Sequence, residues 1–573
     1  MNTILLRSCR KAYTADSDKA VPPAETLRAV RSKLKNAKLD IAAETRRIDN
    51  GRLDIPVYLS ICGQDARAVM PVRKQMGKGA SPEQAEASAL MELMERYAFF
   101  SFWERQPDII TASWSEAERK FGSSLIPVSE ILKSVNDSLD EASARAILDA
   151  CEWRFFPATR ILDGQIVWLP LDWFKMLGEF NGSSAGNTNE ESILQGLCEL
   201  IERHVCAIAA ASRPQLPTID AGTTAHPVLS GLIEKFQRNG IKLVLKDMSL
   251  GMPFPTVGVL AWDEQTFPDA SEIVFTAGTA ASPVKAAIRA ITEAAQLGGD
   301  FNSGSCYEAS GLPKYASLEE CRWLLAGPSV KLEDMPNPER GDIRDELLTC
   351  VRALAPTQVY SVETTHPDIG VPCHYTIAPG LQFRERDANQ SLGLFAGRKL
   401  AEEAEPEKAA EGLAAIRSTC PDAHYLPFFE GLLALRLNDS DLAAALMEDA
   451  SRKQPDAESK GLVSFYAGYA WSLANRWEEA LPWFMEAARL SPQMKEAHNY
   501  LGTARFRLKR YAEAEACFEA ALKIDKGSAV DLANRGICRK FLGKSKSARE
   551  DLEAALELDP TLDFARKQLS EIQ

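Results

Sequence analysis

Hydrophobic and polar positions follow two different patterns along this chain, and the change comes near residue 390. Before it, helical periods alternate with short apolar runs that predict strands at residues 55–61, 166–169, 242–245, 256–262 and 371–378. After it, the apolar positions keep a helical period only and recur at a nearly constant interval. We therefore expect an α/β domain of the α+β kind over residues 1–389, followed by an all-α repeat domain over residues 390–573.

The interval of the second region is set by a glycine that recurs after 34, 37, 34 and 34 residues, at Gly397, Gly431, Gly468, Gly502 and Gly536. An alanine follows 12 residues later, and four beyond it comes a large apolar residue: Leu413, Met447, Phe484, Phe518 and Leu552. Four of the five units carry a proline a further eight residues on. Small residues let two antiparallel helices approach, the large residue fills the groove between them, and proline ends the unit.

This skeleton resembles the tetratricopeptide repeat, which implies about five stacked helical hairpins. A helical bundle with chance spacing is the alternative. Arrays of this kind present a concave surface that binds proteins or a second copy of the chain, so we expect a protein partner and a homodimer. Four aromatic residues either line such a groove or belong to the core of the repeats: Trp471, Trp477, Trp483 and Tyr500.

Three helices of the first region begin at signals for an N-cap. Ser81 and Thr188 are each followed three residues later by Gln or Glu, which is the pattern of a capping box. The third helix begins at Ser282, which precedes a proline, and ends before Gly298. The Gly/Ser-rich loop at residues 181–187 places free N–H groups beside the second helix start, an arrangement suited to phosphate.

Glutamates on the first two helices are spaced to share a face. Glu92 and Glu95 are three residues apart, and so are Glu199 and Glu202, on helices rich in Leu, Met, Ile and Ala. Several carboxylates in a partly buried region repel one another unless a cation neutralises them, and Mg²⁺ is the natural cation beside phosphate. Glu–Arg pairs on a solvated surface are the alternative interpretation, and for Glu191 the alternative is that it closes a capping box.

Four segments resemble the YcaO family over roughly residues 19–385. Three of them, in order, resemble its nucleotide-binding signature: GKGASPEQAEASALMELMER, SSAGNTNEESILQGLCELIER and AAIRAITEAAQ. The stretch IGVPCHYTIAPGL resembles the family's last strand and Pro-Gly turn. The resemblance implies ATP bound with Mg²⁺ in a cleft between α/β halves. A P-loop is excluded, because the only GKG lacks the earlier glycine that this motif requires.

Carried over residue by residue, the resemblance implies metal ligands at Glu92, Glu95, Glu191, Glu199 and Glu202. It implies nucleotide contacts at Lys19, Lys78, Ser88, Ser184, Asn187, Arg203, Arg289 and Glu293. Arginines suit this role because their planar guanidinium groups bind phosphate oxygens bidentately. No catalytic nucleophile or base is named from the sequence.

The family chemistry that the resemblance implies is ATP-dependent activation of a peptide-backbone amide, giving an azoline, a thioamide or an amidine. Azoline-forming members end in a proline-rich tail, whereas this chain runs on past Gly380 into the repeats. The layout resembles members linked to methylthiolation of a ribosomal protein, with repeats that recruit a substrate, a sulfur donor or a partner. Two alternatives are an ATP-binding scaffold without turnover and a ligase that forms an acyl phosphate from a small acid.

Composition and charge limit the kinds of partner and the cellular compartment that we expect for this protein. A net charge of −14 argues against nucleic acid as the main partner, because phosphate backbones require a basic face. No apolar run reaches the ~18 residues of a membrane span, and we predict no signal peptide in Met1–Lys11. The 12 cysteines form no CxxC pair, which favours a reducing compartment and a cytoplasmic enzyme. The sequence favours packing roles for His204, His366 and His374 over metal binding.

Overall fold

The computed structural model describes residues 3–49, 51–105, 108–220, 222, 224–264, 273–298, 315–383 and 390–572. The chain forms two compact units, one from Met1–Asn136 with Trp153–Ala388 and the other from Asp137–Glu152 with Asn389–Gln573. The first unit mixes helices and sheets, and the second is helical. The predicted boundary at residue 389 lies outside the described residues.

The longest elements described before residue 390 are two helices of 24 residues and two of 15 residues. The helices are α1 Pro23–Ala37, α2 Gln64–Val69, α3 Pro82–Arg105, α4 Trp114–Phe121, α5 Val128–Leu132, α6 Glu141–Asp149, α7 Leu171–Gly178, α8 Asn189–Ser212, α9 Pro227–Arg238, α10 Pro283–Leu297, α11 Arg322–Leu325 and α12 Ile343–Ala353. The strands are β1 Ala42–Arg47, β2 Val57–Cys62, β3 Lys74–Lys78, β4 Ile110–Ala112, β5 Trp153–Arg160, β6 Ile166–Pro170, β7 Ser183–Ala185, β8 Thr218–Ile219, β9 Ile241–Asp247, β10 Thr256–Asp263, β11 Val274–Thr279, β12 Ser329–Val330, β13 Tyr360–Glu363 and β14 Cys373–Ile377. All five predicted strands are confirmed within a few residues of their expected ends.

Three sheets build the described part of the first unit. Their strand orders are β1-β2-β3, β11-β10-β9-β8-β12 and β4-β5-β13-β14-β7, with β6 added beside β5. The pairs are antiparallel except for β8 with β12. Several pairs join distant parts of the chain; for example, Ala185 of β7 lies opposite Cys373 of β14.

Helices α3, α8 and α10 each pack on a different sheet through buried apolar side chains. Helix α3 covers the three-stranded sheet, α8 covers β14 and β7, and α10 covers β11 and β10. Alanines dominate the buried face of α10, which lets this helix lie close to its sheet. The polar residues of the three helices are left to line a common space between them.

The helix starts differ in how they are capped. Ser81 and Thr188 accept hydrogen bonds from the N–H groups of Gln84 (3.2 Å) and Glu191 (3.3 Å), as predicted. The expected cap at Ser282 is wrong, since its side chain makes no cap hydrogen bond and Pro283 alone marks the helix start. Glu191 does not close a capping box, because its carboxylate binds other partners near the helix start.

The second unit is a stack of helical hairpins, as the repeat pattern predicts. Its further helices are α13 Leu392–Glu403, α14 Pro406–Thr419, α15 Leu426–Arg436, α16 Ser440–Lys453, α17 Ala457–Leu473, α18 Trp477–Leu490, α19 Lys495–Arg507, α20 Tyr511–Ile524, α21 Ala529–Phe541, α22 Ser545–Leu558 and α23 Asp563–Ser570. At Gly502 an added Cβ would lie 2.9 Å from the Phe518 ring, so the predicted glycine–aromatic contact exists. The first hairpin departs from this rule, because Gly397 faces Phe429 rather than Leu413.

Helix α6 belongs to the second unit although its sequence lies within the first region. It packs on α13 and α14, and the backbone N–H of Leu392 donates to Asp137 at 2.5 Å. An ion pair of 3.1 Å joins Lys408 to Glu152 at the other end of the segment. The repeat stack therefore begins with a helix that a sequence boundary at residue 389 does not include. Among the described residues, none of the helices has both the length and the hydropathy that a membrane span requires.

Candidate functional site

A cleft of about 720 Å³ opens between α3, α8 and α10 of the first unit. Its size is that of sites for nucleotide-sized ligands. The three helices contribute their polar faces, and a segment near the N-terminus, Asp16–Lys19, lines the cleft as well. Strand β3 adds Lys78.

Carboxylates from all three helices meet in this cleft. They are Glu92 and Glu95 of α3, Glu199 and Glu202 of α8, and Glu293 of α10. Burial raises the pKa of Glu95 to about 8 and that of Glu202 to about 7, and repulsion from neighbouring carboxylates adds to the effect. Burial likewise raises the pKa of Glu92. Carboxylates in this state favour a proton or a metal cation as a neighbour.

The basic side chains of the cleft fall into two groups. Lys78 and Arg96 are engaged: Lys78 lies 2.6 Å from Glu293, and Arg96 lies 2.9 Å from Glu95. Burial disfavours the charge of Glu293, but the ion pair with Lys78 outweighs it and lowers the Glu293 pKa. Arg203 and Arg289 are only partly engaged: Arg203 lies 3.7 Å from Glu199 and Arg289 donates to Gln195 at 3.0 Å, but the Nε of each is buried without a hydrogen-bond partner among the described residues. Guanidinium donors left open in a cleft are suited to an anionic ligand.

Arg96 is fixed on three sides. Beyond its ion pair with Glu95, it donates to Ser183 at 3.2 Å, and its guanidinium lies 3.9 Å from the centroid of the Phe180 ring. Ser183 also donates to Glu95 at 3.3 Å. These contacts hold the Glu95 carboxylate in one orientation toward the cleft.

The start of α8 binds the N-terminal segment. Glu191 accepts from the backbone N–H of Ala20 at 3.0 Å and lies 3.3 Å from Lys19. Asn187 donates to the same carboxylate at 3.0 Å and accepts from Thr26 at 2.9 Å. The Lys19 and Asn187 side chains are thus placed at one end of the cleft by a single glutamate.

A second polar cluster lies at this end. Lys11 is almost fully buried and lies 2.6 Å from Glu346 of α12 and 3.0 Å from Asp18. Lys285 of α10 donates to the carbonyl oxygen of Thr14. The cluster fastens residues 11–18 against two helices of the same unit, so the segment forms part of the cleft wall.

Most residues expected at the site line this one cleft. They are Lys19, Lys78, Ser88, Glu92, Glu95, Asn187, Glu191, Glu199, Glu202, Arg203, Arg289 and Glu293. Ser184 does not join them: its hydroxyl is buried beneath α8, 3.4 Å from that of Ser192 and 3.5 Å from the His374 carbonyl oxygen. Side chains alternate along a strand, so Ser183 points to the cleft side and Ser184 to the other.

The three histidines make packing contacts. His374 Nδ1 lies 3.0 Å from Ser192, and burial lowers the His374 pKa to about 3, which keeps the ring neutral. His204 accepts from the backbone N–H of Gln382 at 2.8 Å, and the His366 ring lies 5.5 Å from that of Tyr97.

Several cleft residues were missed by sequence reasoning. Gln195 accepts from Arg289 at 3.0 Å, and its place four residues before Glu199 on the same helix face was a usable signal. Lys285, four residues before Arg289, was detectable in the same way. Glu346 carried no such signal, because it comes from a distant helix.

The carboxylates of the cleft determine whether a divalent cation fits there. Within the described ranges, no group of three His, Cys, Asp or Glu residues is arranged to enclose a metal ion. Glu199 of α8 instead lies close enough to Glu92 and Glu95 of α3 to raise their pKa values. This arrangement fits Mg²⁺, which takes one or two carboxylates together with water and phosphate oxygens rather than a closed protein cage.

Comparison with family models gives matches in both units. Residues 76–382 match the model described as YcaO cyclodehydratase, ATP- and Mg²⁺-binding. Residues 428–495, 495–528 and 532–562 match tetratricopeptide repeat models. ATP and Mg²⁺ are thus the cofactors of the matched family.

Comparison with curated proteins and solved structures agrees in the first unit. An uncharacterised protein of Methanothermobacter thermautotrophicus is 29% identical over 379 residues, which cover 63% of this chain and 94% of that protein. The ribosomal protein S12 methylthiotransferase accessory factor YcaO of Escherichia coli is 29% identical over 205 residues, 33% of this chain and 35% of its own. A heterocyclase solved with substrate and cofactor aligns with a TM-score of 0.54 and 21% identity, over 67% of this chain and 55% of the other, and shows the same fold.

Proposed function

The chain belongs to the YcaO family, and on that premise we propose that it uses ATP and Mg²⁺ to activate a backbone amide of a peptide or protein. One observation carries the proposal. Buried carboxylates with raised pKa values share a cleft with two arginines whose Nε atoms have no partner among the described residues. A cation and a polyanion bound together would satisfy both groups at once.

The proposed reaction solves a leaving-group problem, because an amide oxygen leaves poorly. A nucleophile adds to the carbonyl carbon and loses a proton, the carbonyl oxygen takes the γ-phosphoryl group of ATP, and ADP leaves. Inorganic phosphate then departs with that oxygen, as a second proton is lost from the amide nitrogen or the nucleophile and a C=N or C=S bond forms. A neighbouring Cys, Ser or Thr side chain gives an azoline, an external sulfur donor gives a thioamide, and an amine gives an amidine. The protein contributes positioning and charge stabilisation.

The cleft residues divide this work. Arg203 and Arg289 would donate to phosphate oxygens, and Glu92, Glu95, Glu199 and Glu202 would hold Mg²⁺, which would neutralise the phosphate charge. Glu293 holds Lys78 at the cleft, where Lys78 would reach the nucleotide. Glu191 keeps Lys19 and Asn187 in place, so a metal role for Glu191 requires those contacts to open.

The repeats supply the second part of the proposal. We assign them recruitment of a protein substrate or of a partner such as a sulfur donor. The family's E. coli member is named as an accessory factor of ribosomal-protein methylthiolation, and we propose a role of that accessory kind for this chain. Azoline formation is less favoured, because the chain continues past Gly380 into helices rather than into a proline-rich tail.

The test is Mg²⁺-dependent ATP binding and phosphate release, measured on the full chain and on a Glu199→Ala, Glu202→Ala double variant. We expect the native protein to bind ATP and release phosphate slowly, and the variant to lose both. A matched control replaces two carboxylates of the repeats, Glu478→Ala with Glu479→Ala, and should retain both activities. Binding without phosphate release, even with peptide substrates present, would favour an ATP-binding scaffold; absence of both would overturn the proposal.

A further inference from the structure

Within the repeat unit, the turns that join the two helices of successive hairpins form an exposed surface. Two positions recur there at the repeat interval of 34 residues: Leu473, Arg507 and Phe541 end the first helices, and Trp477, Tyr511 and Ser545 begin the second helices. We call the set Leu473, Trp477, Arg507, Tyr511 and Phe541 the turn ladder. It follows one edge of the stack, away from the glycine–aromatic contacts of the core.

Side chains of the turn ladder contact one another across successive repeats. The Tyr511 and Phe541 rings are stacked, with centroids 4.8 Å apart and an angle of 15°. The Arg507 guanidinium lies 5.6 Å from the centroid of Trp477. Leu473 is 52% exposed and Phe541 is 53% exposed, so both ends of the ladder present apolar surface to solvent. A large exposed aromatic, ordered by stacking, is the kind of residue that anchors a protein partner.

The middle rung carries uncompensated positive charge. Arg507, Lys509 and Arg510 are exposed, and no ion pair joins them to any carboxylate of the described chain. The neighbouring turns differ, since Arg476 lies 2.8 Å from Glu479 and Lys544 lies 2.7 Å from Glu515. In a chain of net charge −14, three open cations in one turn are a local exception.

We propose that the turn ladder binds an acidic peptide segment whose carboxylates are flanked on both sides by apolar side chains. The order along the edge is apolar, cationic, apolar, and this ligand is its complement in both charge and hydrophobicity. A flat anionic membrane surface is disfavoured because it would meet the exposed carboxylates of Asp441 and Glu478 as well as the cationic turn, whereas a peptide can place its own carboxylates against the cationic turn alone. The inference rests on the recruiting role proposed for the repeats and names the chemistry of the recruited partner.

The experiment selects short random peptides displayed on phage against the full chain, without ATP or Mg²⁺. Enriched peptides are then synthesised with a fluorescent label, and their affinity is measured by anisotropy at low and high ionic strength. We expect carboxylates between apolar residues in the enriched set, and weaker binding as salt screens the charges. An Arg507→Glu, Arg510→Glu double variant and a Phe541→Ser variant should each bind roughly tenfold more weakly or worse.

The matched control is Phe564→Ser, which removes an exposed aromatic of α23 outside the ladder and should bind as the native chain does. Thermal melting confirms that each variant is folded. Failure to enrich acidic peptides, or equal binding by the ladder variants, would overturn the inference. Binding of anionic phospholipid vesicles that the same variants abolish would overturn it in favour of a lipid surface. Because no nucleotide is present, these outcomes are independent of the amide chemistry proposed for the cleft.

Discussion

Charged side chains gather both in the cleft of the first unit and inside the last repeats, and the two clusters differ in how fully they are neutralised. In the repeats, Asp551 accepts from Arg535 at 2.7 and 2.9 Å and from Arg539 at 2.9 Å. Glu515 pairs with Arg539 at 2.9 Å and Lys544 at 2.7 Å. Burial opposes the Glu515 charge, but these cations outweigh burial and lower its pKa.

The cleft shows the opposite balance. Glu95 has one arginine partner but several carboxylate neighbours, and its pKa rises to about 8. Arg203 and Arg289 each keep a buried donor atom that the described residues do not satisfy. A closed network of charges needs nothing further and indicates a structural role. An open network of charges contains carboxylates and donor atoms that lack a partner, which indicates that a bound ligand supplies the missing partners.

The largest effect should come from opening the closed network. Asp551→Ala would leave Arg535, about four-fifths buried, without its carboxylate partner, while Arg539 would keep Glu515. We expect a loss of about 3 kcal/mol in the stability of the repeat unit, because a mostly buried cation loses its anion. Hydrogen exchange of α21 and α22 measures it, with Asp551→Asn as the isosteric control. Native-like protection of these helices in Asp551→Ala would contradict a structural role for the network.

The next effect is a pH dependence of opposite sign in the two regions. Folding raises the Glu95 pKa from its ordinary 4.5 to about 8, so the folded protein holds an extra proton between these values. Stability around α3 and α8 without Mg²⁺ should therefore fall as pH rises through this window. The folded pKa of Glu515 is lowered, so its contribution is present above pH 4.5 and disappears only on further acidification.

Hydrogen exchange at mildly acidic and mildly alkaline pH separates the two cases. Exchange of α3 and α8 amides, corrected for the intrinsic pH effect, should become less protected at alkaline pH, and Mg²⁺ with ATP should restore protection. The α20 and α22 amides should keep their protection over the same range. Equal behaviour of the two regions would remove the distinction between open and closed networks.

The sequence predicted the elements of both regions better than their charge balance. Helices α3, α8 and α10 and the repeat hairpins arise from local periodicity, caps and spacing, all of which a single sequence displays. The side of β7 that Ser184 faces depends on pairing with β14, nearly 190 residues away. The partners of Glu191 come from the N-terminal segment, and α6 joins a unit that begins some 240 residues later. Non-local contacts of this kind leave no local pattern to detect.

A smaller effect is expected when one open cation is removed from the cleft. Arg289→Ala should reduce phosphate release roughly a hundredfold, because a donor to developing phosphate charge is lost. Stability should change little, since Arg289 makes one hydrogen bond to Gln195 and no ion pair to the described carboxylates. Steady-state phosphate release measures the effect, with Arg289→Lys as the variant that keeps charge without the planar fork. An unchanged rate in Arg289→Ala would show that this arginine is structural.

The smallest effect should come from loosening the contacts of Arg96, a neutralised side chain within the open network. Phe180→Leu removes the ring that lies against Arg96, while the ion pair of Arg96 with Glu95 remains possible. Stacking of this kind is worth about 1 kcal/mol, so Glu95 should be held less firmly and the Mg²⁺ needed for half-maximal ATP binding should rise roughly fivefold. Arg96→Lys tests the same arrangement from the other side, because lysine cannot stack flat on Phe180 while donating to both Glu95 and Ser183. If both variants need the same Mg²⁺ concentration as the native chain for half-maximal ATP binding, the orientation of Glu95 does not depend on Arg96. The charges of the cleft, and not the orientation of their side chains, would then determine Mg²⁺ binding.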